Sequence, residues 1–279
     1  VRDIAMTPDG SEIYWCAAGT GYVWSTILMS RLVDGRWSKP EVTPWGREIG
    51  SFTIEPHISP DGQHFYFLSN RPDPETGEEA GDQDIWVMDR VGEGWSEPYN
   101  LGAPINTEHA EFFASVTRDG TMYFTRQPVG ERANFIYRSR MVDGEWQEPV
   151  RLPEQVNCGV SQYNAFIDPD EEYLIVCVDG RDDTVGACDY YIVFRNGDDT
   201  WSEPVNMGEK VNTAHFQEFS PYVSPDGKYF FFMSTRTPDQ AGKELSWDEI
   251  IAAHSGPQNG NPDIYWMEAA FIDALRPYR

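Results

Sequence analysis

Four carboxylates, three histidines and four arginines of this chain have the residue types and the wide, regular spacing from which a polar-ligand site could be assembled. Glu111, Glu218, Asp3 and Glu55 are the candidate catalytic acids. Two carboxyl groups facing one another, one protonated and one ionised, are the machinery of glycoside cleavage. His57, His109 and His215 are the candidate metal ligands, because histidines with nearby carboxylates can hold a divalent ion, zinc or calcium, that acidifies a bound water. Their spacing matches no standard ligand signature, and each has an ordinary surface or core alternative. Arg71, Arg126, Arg181 and Arg236 could grip an anionic or polar ligand through the guanidinium fork, with Gln162, Asn164, Tyr222 and Trp247 completing the ligand-binding set. The competing reading of the arginines is structural: they pair with acids such as Asp84, Asp189 and Asp263 to brace neighbouring units.

What could bring such distant residues together is an internal repeat. A turn signature recurs as Thr7-Pro8-Asp9-Gly10, Ser59-Pro60-Asp61-Gly62, Thr117-Arg118-Asp119-Gly120, Asp168-Pro169-Asp170-Glu171 and Ser224-Pro225-Asp226-Gly227, its aspartates 52, 58, 51 and 56 residues apart. Proline presets φ, Asp bonds back to its own backbone and Gly accepts positive φ, so each copy joins two strands tightly. A second signature runs in step as Trp37-Ser38-Lys39-Pro40, Trp95-Ser96-Glu97-Pro98, Trp146-Gln147-Glu148-Pro149 and Trp201-Ser202-Glu203-Pro204. Proline cannot donate to a central ladder, so these segments are expected to be outer edge strands with the Trp turned inward. Between the two lie β-branched and aromatic runs such as Asp84-Ile85-Trp86, Phe135-Ile136-Tyr137, Asp189-Tyr190-Tyr191 and Asp263-Ile264-Tyr265.

Each unit then reads as four antiparallel strands, and the expected fold is all-β: a five-bladed β-propeller forming one domain, with blades at about 1–50, 51–108, 109–159, 160–214 and 215–279. The last unit lacks its Trp-x-x-Pro segment. Either a strand from upstream of Val1 completes it, or it is three-stranded and capped by a short C-terminal helix at about 268–275. The Ser-Pro-Asp-Gly turns, Ser69-Asn70-Arg71 and Ser234-Thr235-Arg236 at strand ends, and the Asp-Ile-Trp and Asp-Ile-Tyr strands resemble the WD40-like PD40 repeats of TolB-type propellers. Arg118 and Glu171 depart from that pattern in the third and fourth turns. The resemblance implies the fold and leaves function open, since the family includes scaffolds, peptidase gates and lyases.

In a propeller the innermost strands begin on one rim, where the loops between second and third strands also open, and a functional site is expected there. Counting back from each turn by the two-residue strand period puts Asp3, Glu55, His57, Glu111, Ser115, Gln162, Asn164, Glu218, Ser220 and Tyr222 toward the channel. The loop 72–83 and the segment 182–187 are acidic and could take calcium, without EF-hand spacing. The long loop 237–262 contains a helix signal after Ser246 and could act as a lid or a plug. Motifs for a nucleophile elbow, a phosphate loop, a dinucleotide site or a zinc-protease helix are missing.

A net charge of −25 argues against nucleic acid or an anionic bilayer as partner. No apolar run has the length of a membrane span. The chain opens at Val1-Arg2-Asp3, and the expectation is a soluble protein, periplasmic or secreted, whose leader was removed. Cys16, Cys158, Cys177 and Cys188 read as buried thiols, with a cross-strand Cys177–Cys188 disulfide as the alternative. Three functions follow. The first is a propeller that binds a small polar molecule, such as a saccharide, at the mouth of its channel. The second is a hydrolase or lyase using the channel carboxylates and histidines on a carbohydrate or ester. The third is a scaffold for a protein partner.

Overall fold

The computed structural model describes residues 1–47, 51–72, 77, 83–214, 217–238 and 242–277. Five antiparallel sheets follow one another along the chain, their inner strands at Arg2–Met6, Thr53–Ile58, Ala110–Val116, Ser161–Ile167 and Glu218–Val223. Each inner strand pairs with a second strand across the repeated turn, at Glu12–Ala18, His64–Ser69, Met122–Gln127, Tyr173–Asp179 and Tyr229–Ser234. Third strands at Ser25–Val33, Asp84–Val91, Phe135–Ser139, Cys188–Phe194 and Asp263–Glu268 complete the common blade. The chain is a five-bladed β-propeller.

The turns form as their residues dictate. Thr7, Ser59, Thr117 and Ser224 hydroxyls donate to Asp9, Asp61, Asp119 and Asp226 over 2.7, 2.5, 2.5 and 2.6 Å, while Gly10, Gly62, Gly120 and Gly227 take φ of 69–84°. In the fourth turn Glu171 adopts φ 55°, a left-handed conformation unfavourable for a side chain. That side chain accepts from Tyr123 Oη and Arg195, each at 2.6 Å, which offsets the strain. Arg118, the other departure, pairs with Asp170 of the next turn at 2.8 Å.

The Trp-x-x-Pro segments differ from expectation. Trp37, Trp95 and Trp146 sit in two-residue hairpin strands, and the outer blade strand starts after the proline, at Glu41–Val42, Tyr99–Asn100, Val150–Arg151 and Val205–Asn206. Having no N–H, proline marks where one pairing ends and the next begins. Trp201 is buried and Trp95 and Trp146 pack partly buried against the core as expected, whereas Trp37 is 45% exposed.

A further repeated device lies past each outer strand of the second to fourth blades. Asn106, Asn157 and Asn212 each accept from the backbone N–H of a third-strand residue (Ile85, Ile136, Tyr190) and donate to its carbonyl, at 2.8–3.1 Å.

The fifth sheet is three-stranded among the described residues. The ring closes by direct packing of blade five on blade one: Met6 N–H donates to Tyr222 Oη at 3.1 Å and the Val1 ammonium to Pro262 O at 2.8 Å. A short helix, Phe271–Ala274, caps this blade and buries Ile272. The helix signal after Ser246 is realised as Trp247–Ser255 with a Ser246–Glu249 capping box, but all nine of its residues are exposed, so it forms neither plug nor packed lid. All four cysteines are free. No described helix is long and apolar enough to cross a membrane.

Candidate functional site

Every inner strand breaks its ladder at the same place. Register shifts fall between Arg2 and Ile4, Ile54 and His57, Phe112 and Ser115, Tyr163 and Phe166, and Phe219 and Tyr222. Within each shift one non-glycine residue has positive φ: Asp3 (50°), Glu55 (59°), Phe113 (52°), Asn164 (51°) and Ser220 (65°). A bulge re-aims its side chain. Here the bulges bring side chains from four blades into contact at the centre of the ring.

The centre of that contact is Arg2. Its guanidinium pairs with Asp3 at 2.8 Å and Glu55 at 2.7 Å, donates to Tyr22 Oη at 2.9 Å and Ser220 Oγ at 3.5 Å, and lies 4.4 Å from the Phe219 ring centroid. Ser220 Oγ also donates to Asp3. Asn164 Nδ2 donates to Ser220 Oγ at 3.2 Å and Glu55 Oε1 at 3.4 Å. All five side chains are buried. One cation thus serves two carboxylates. Burial, resisted by Arg2 and reinforced by Asp3, pushes the Glu55 carboxyl up to about 7. The Phe113 backbone N–H, facing the same carboxyl, acts against that upward shift.

On the leading rim this ring is covered by aromatic side chains. Tyr22, in a 3-10 turn at Thr20–Tyr22, has φ 56° and packs 5.4 Å from the Phe52 ring centroid. It is 38% exposed, so the hydroxyl that caps Arg2 belongs to a ring that also reaches solvent.

The other residues named from sequence go elsewhere. Glu111 accepts from Thr107 N and Oγ1 and pairs with Arg126 at 2.6 Å; Glu218 accepts from Thr213 and Ser234 hydroxyls. Burial raises both carboxyls, but neither is among the contacts of the central ring. Gln162 is fully buried, with neither amide atom partnered. Arg71, Arg126, Arg181 and Arg236 each donate to a carbonyl of the preceding interblade loop, Trp45, Ile105, Cys158 and Val211, and each stacks on an aromatic ring of its own blade. Two of them also pair with an acid, Arg126 with Glu111 and Arg181 with Asp183, neither of which is among the aspartates named in the bracing alternative. Trp247 is 71% exposed on its helix, and Asp189 holds the segment 182–187 by accepting from Val185 and Gly186 N–H.

His57 and His109 are far apart. His57 accepts from Val116 N at 2.9 Å beyond the bulge, and burial lowers its imidazole to about 4. His109 precedes its inner strand and accepts from Val129 N at 3.1 Å. About six strand positions separate their depths, on the order of 20 Å. His215 and most of the loop 72–83 lie outside the described residues. Among the described residues no three His, Cys, Asp or Glu side chains are grouped to hold a metal ion.

A pocket of about 330 Å³ opens on the opposite face, among the repeated turns, lined in part by His57, Tyr222, Asp168 and Arg118. Its polar groups are engaged: His57 with Val116, Tyr222 with Met6, Arg118 with Asp170. The central ring is where polar side chains from four blades converge.

Sequence reading missed Arg2 and Tyr22. The ring residues lie six positions before each turn aspartate, and Arg2 occupies a column otherwise filled by Ile54, Phe112, Tyr163 and Phe219. A lone arginine in an apolar column was the available signal.

The structure is similar to TolB from Acinetobacter baumannii (TM-score 0.51, 18% identity, 84% of this chain and 48% of that one). It is also similar to a putative TolB from Agrobacterium tumefaciens (0.50, 17%, 83% and 69%). The chain therefore has the TolB-type propeller fold, while spanning about half the length of the first of these proteins. An oligogalacturonate lyase solved with manganese aligns at a TM-score of 0.47 and 12% identity over 84% of this chain and 61% of that one, too distant to bear on chemistry. No family profile matches the chain, and neither does any curated protein.

Proposed function

We propose that this propeller binds a small polyhydroxylated molecule, of saccharide type, in the leading mouth of its channel, between the Tyr22–Phe52 aromatic rim and the Arg2–Asp3–Glu55–Asn164–Ser220 ring. The observation that carries the reading is the convergence of five buried polar side chains from four blades beneath a partly exposed aromatic ring. Because Glu55 titrates near neutrality, the atom facing it must serve both an acid and a carboxylate. A hydroxyl, donor and acceptor at once, does so. Aromatic faces beside such a ring suit the apolar face of a sugar.

The test is a thermal-shift and calorimetric screen of neutral and acidic mono- and oligosaccharides, repeated on Tyr22→Ala and Asn164→Leu. A ligand of the native state raises Tm. Both variants should fold and lose that rise. An equal rise in both, or no rise with any saccharide, refutes the reading.

A second reading rests on the same carboxyl. With its acidity near 7, Glu55 is suited to protonate a leaving oxygen, with Asp3 as the neighbouring carboxyl. In that case Glu55→Gln keeps saccharide binding and abolishes turnover.

A further inference from the structure

The pocket of about 330 Å³ on the opposite face lies where the inner strands end and the repeated turns begin. Four positions before each turn aspartate the inner strands carry Ala5, His57, Ser115, Phe166 and Tyr222. Three of these hold the next blade by one repeated contact: His57 Nε2 accepts from Val116 N–H at 2.9 Å, Ser115 Oγ from Ile167 N–H at 3.0 Å and Tyr222 Oη from Met6 N–H at 3.1 Å. That contact uses only their acceptors. A neutral imidazole that accepts at Nε2 carries its proton on Nδ1, and a phenol that accepts keeps its own proton to donate. Neither His57 Nδ1–H nor Tyr222 Oη–H meets an acceptor among the described residues, although both side chains line the pocket and each residue is only 8% exposed. Burial keeps the His57 ring neutral down to about 4, so it offers this donor without a charge.

The fourth turn adds a carboxylate where the repeat has a hydroxyl. Thr7, Ser59, Thr117 and Ser224 stand two residues before their turn aspartates, and Asp168 takes that place in blade four and lines the pocket. Its Oδ2 accepts from Asp170 and Glu172 N–H at 3.0 and 3.3 Å, with the Tyr173 phenol beside the group. Burial, with repulsion from Asp170 and Glu172, raises this carboxyl, and a cation would relieve both. The lining as a whole sets three acids, Asp168, Asp170 and Asp226, against the single guanidinium of Arg118.

We propose that this pocket binds a small organic cation that also carries a neutral oxygen acceptor, an amino amide or amino alcohol. Its oxygen accepts from His57 Nδ1–H and Tyr222 Oη–H, and its ammonium pairs with Asp168 beside the rings of Phe166 and Tyr173, whose faces attract a cation. The same groups select against other ligands. A carboxylate would satisfy the two donors but meet the three acids, and a simple alkylamine would pair with Asp168 but leave both donors buried and unmatched. The site is separate from the saccharide mouth, on the other face of the ring, and does not depend on it.

The probes are glycinamide, β-alaninamide and γ-aminobutyramide, with acetamide and acetate for comparison, titrated into protein whose histidine rings are isotope-labelled for nuclear magnetic resonance. The chain has five histidines, and the signal missing from His57→Gln identifies His57. An amino amide of matching length should move the His57 Nδ1–H signal and saturate, acetamide should do so about tenfold or more less tightly, and acetate should leave the signal in place. Asp168→Ser restores the hydroxyl used by the other turns and should fold, lose about tenfold or more of the amino-amide affinity and keep that for acetamide. Acetate binding as tightly as the amino amides, acetamide matching them, or a His57 signal that none of the probes moves overturns the proposal in the parent protein alone. Undiminished amino-amide binding by Asp168→Ser overturns it as well.

Discussion

Replacing either Glu55 or His57 should unmask two opposed pH dependences of stability that hide one another in the parent protein. The native state holds the Glu55 proton up to about pH 7, whereas the unfolded chain releases it near 4.5. Stability from this group is complete at low pH and is lost as pH rises through 7. His57 runs the other way: its native acidity near 4 lies below the unfolded 6.5, so its contribution is complete above 6.5 and is lost as pH falls. At up to about 1.4 kcal/mol per pH unit, less where either state is half titrated, Glu55 removes about 2 kcal/mol between pH 5 and 7 and His57 restores about 2 kcal/mol over the same interval. The parent should therefore stay nearly flat with respect to this pair across the interval. Glu55→Gln should gain about 2 kcal/mol as pH rises, and His57→Gln, which keeps an acceptor for Val116 N–H, should lose about 2 kcal/mol. Urea unfolding at pH 5–8, above the sequence pI of about 4.4, measures these slopes. Burial also raises Asp168, Glu111 and Glu218, but their effects cancel in the difference between curves. Parallel curves for the three proteins would refute the reasoning.

Three further outcomes follow from the contacts. Arg2→Met leaves two carboxyls buried without their cation and should cost about 3–5 kcal/mol, read as a lower urea midpoint. Asn212→Ala leaves the Tyr190 N–H without its acceptor and removes one of two donors from the Tyr190 carbonyl, which Met207 N–H still serves, and should cost about 1–3 kcal/mol, with faster amide exchange confined at first to the outer part of blade four. Ser246→Ala removes the cap of a helix that buries nothing, so it should reduce helical circular dichroism and leave the global unfolding midpoint unchanged.

The propeller was legible because its turns are chemically over-determined: Pro, Asp and Gly at fixed offsets admit one local geometry, and that local geometry recurs in all five blades. Even the exception at Glu171 keeps the turn through Tyr123 and Arg195. The outer strands were placed a few residues early because proline marks a boundary without saying which side of it pairs. The interior was only half legible. A strict two-residue period puts Asp3, Glu55 and Asn164 with Glu111 and Glu218, but a bulge breaks that period, and the positive-φ residues Asp3, Glu55, Asn164 and Ser220 meet around Arg2 without Glu111 or Glu218. Arginines repeated from blade to blade turned out to hold interblade carbonyls, whereas Arg2, which occurs in one blade, organises the ring.

The most direct test of the ring as a ligand site is a crystal structure of the protein with the saccharide that raises its Tm most. The account predicts a ligand hydroxyl within about 2.6–3.2 Å of Glu55 Oε2, with an aromatic face of Tyr22 or Phe52 against the sugar. A ligand seated instead in the pocket beside His57 and Asp168, with the Arg2–Glu55 ring unchanged, would contradict it.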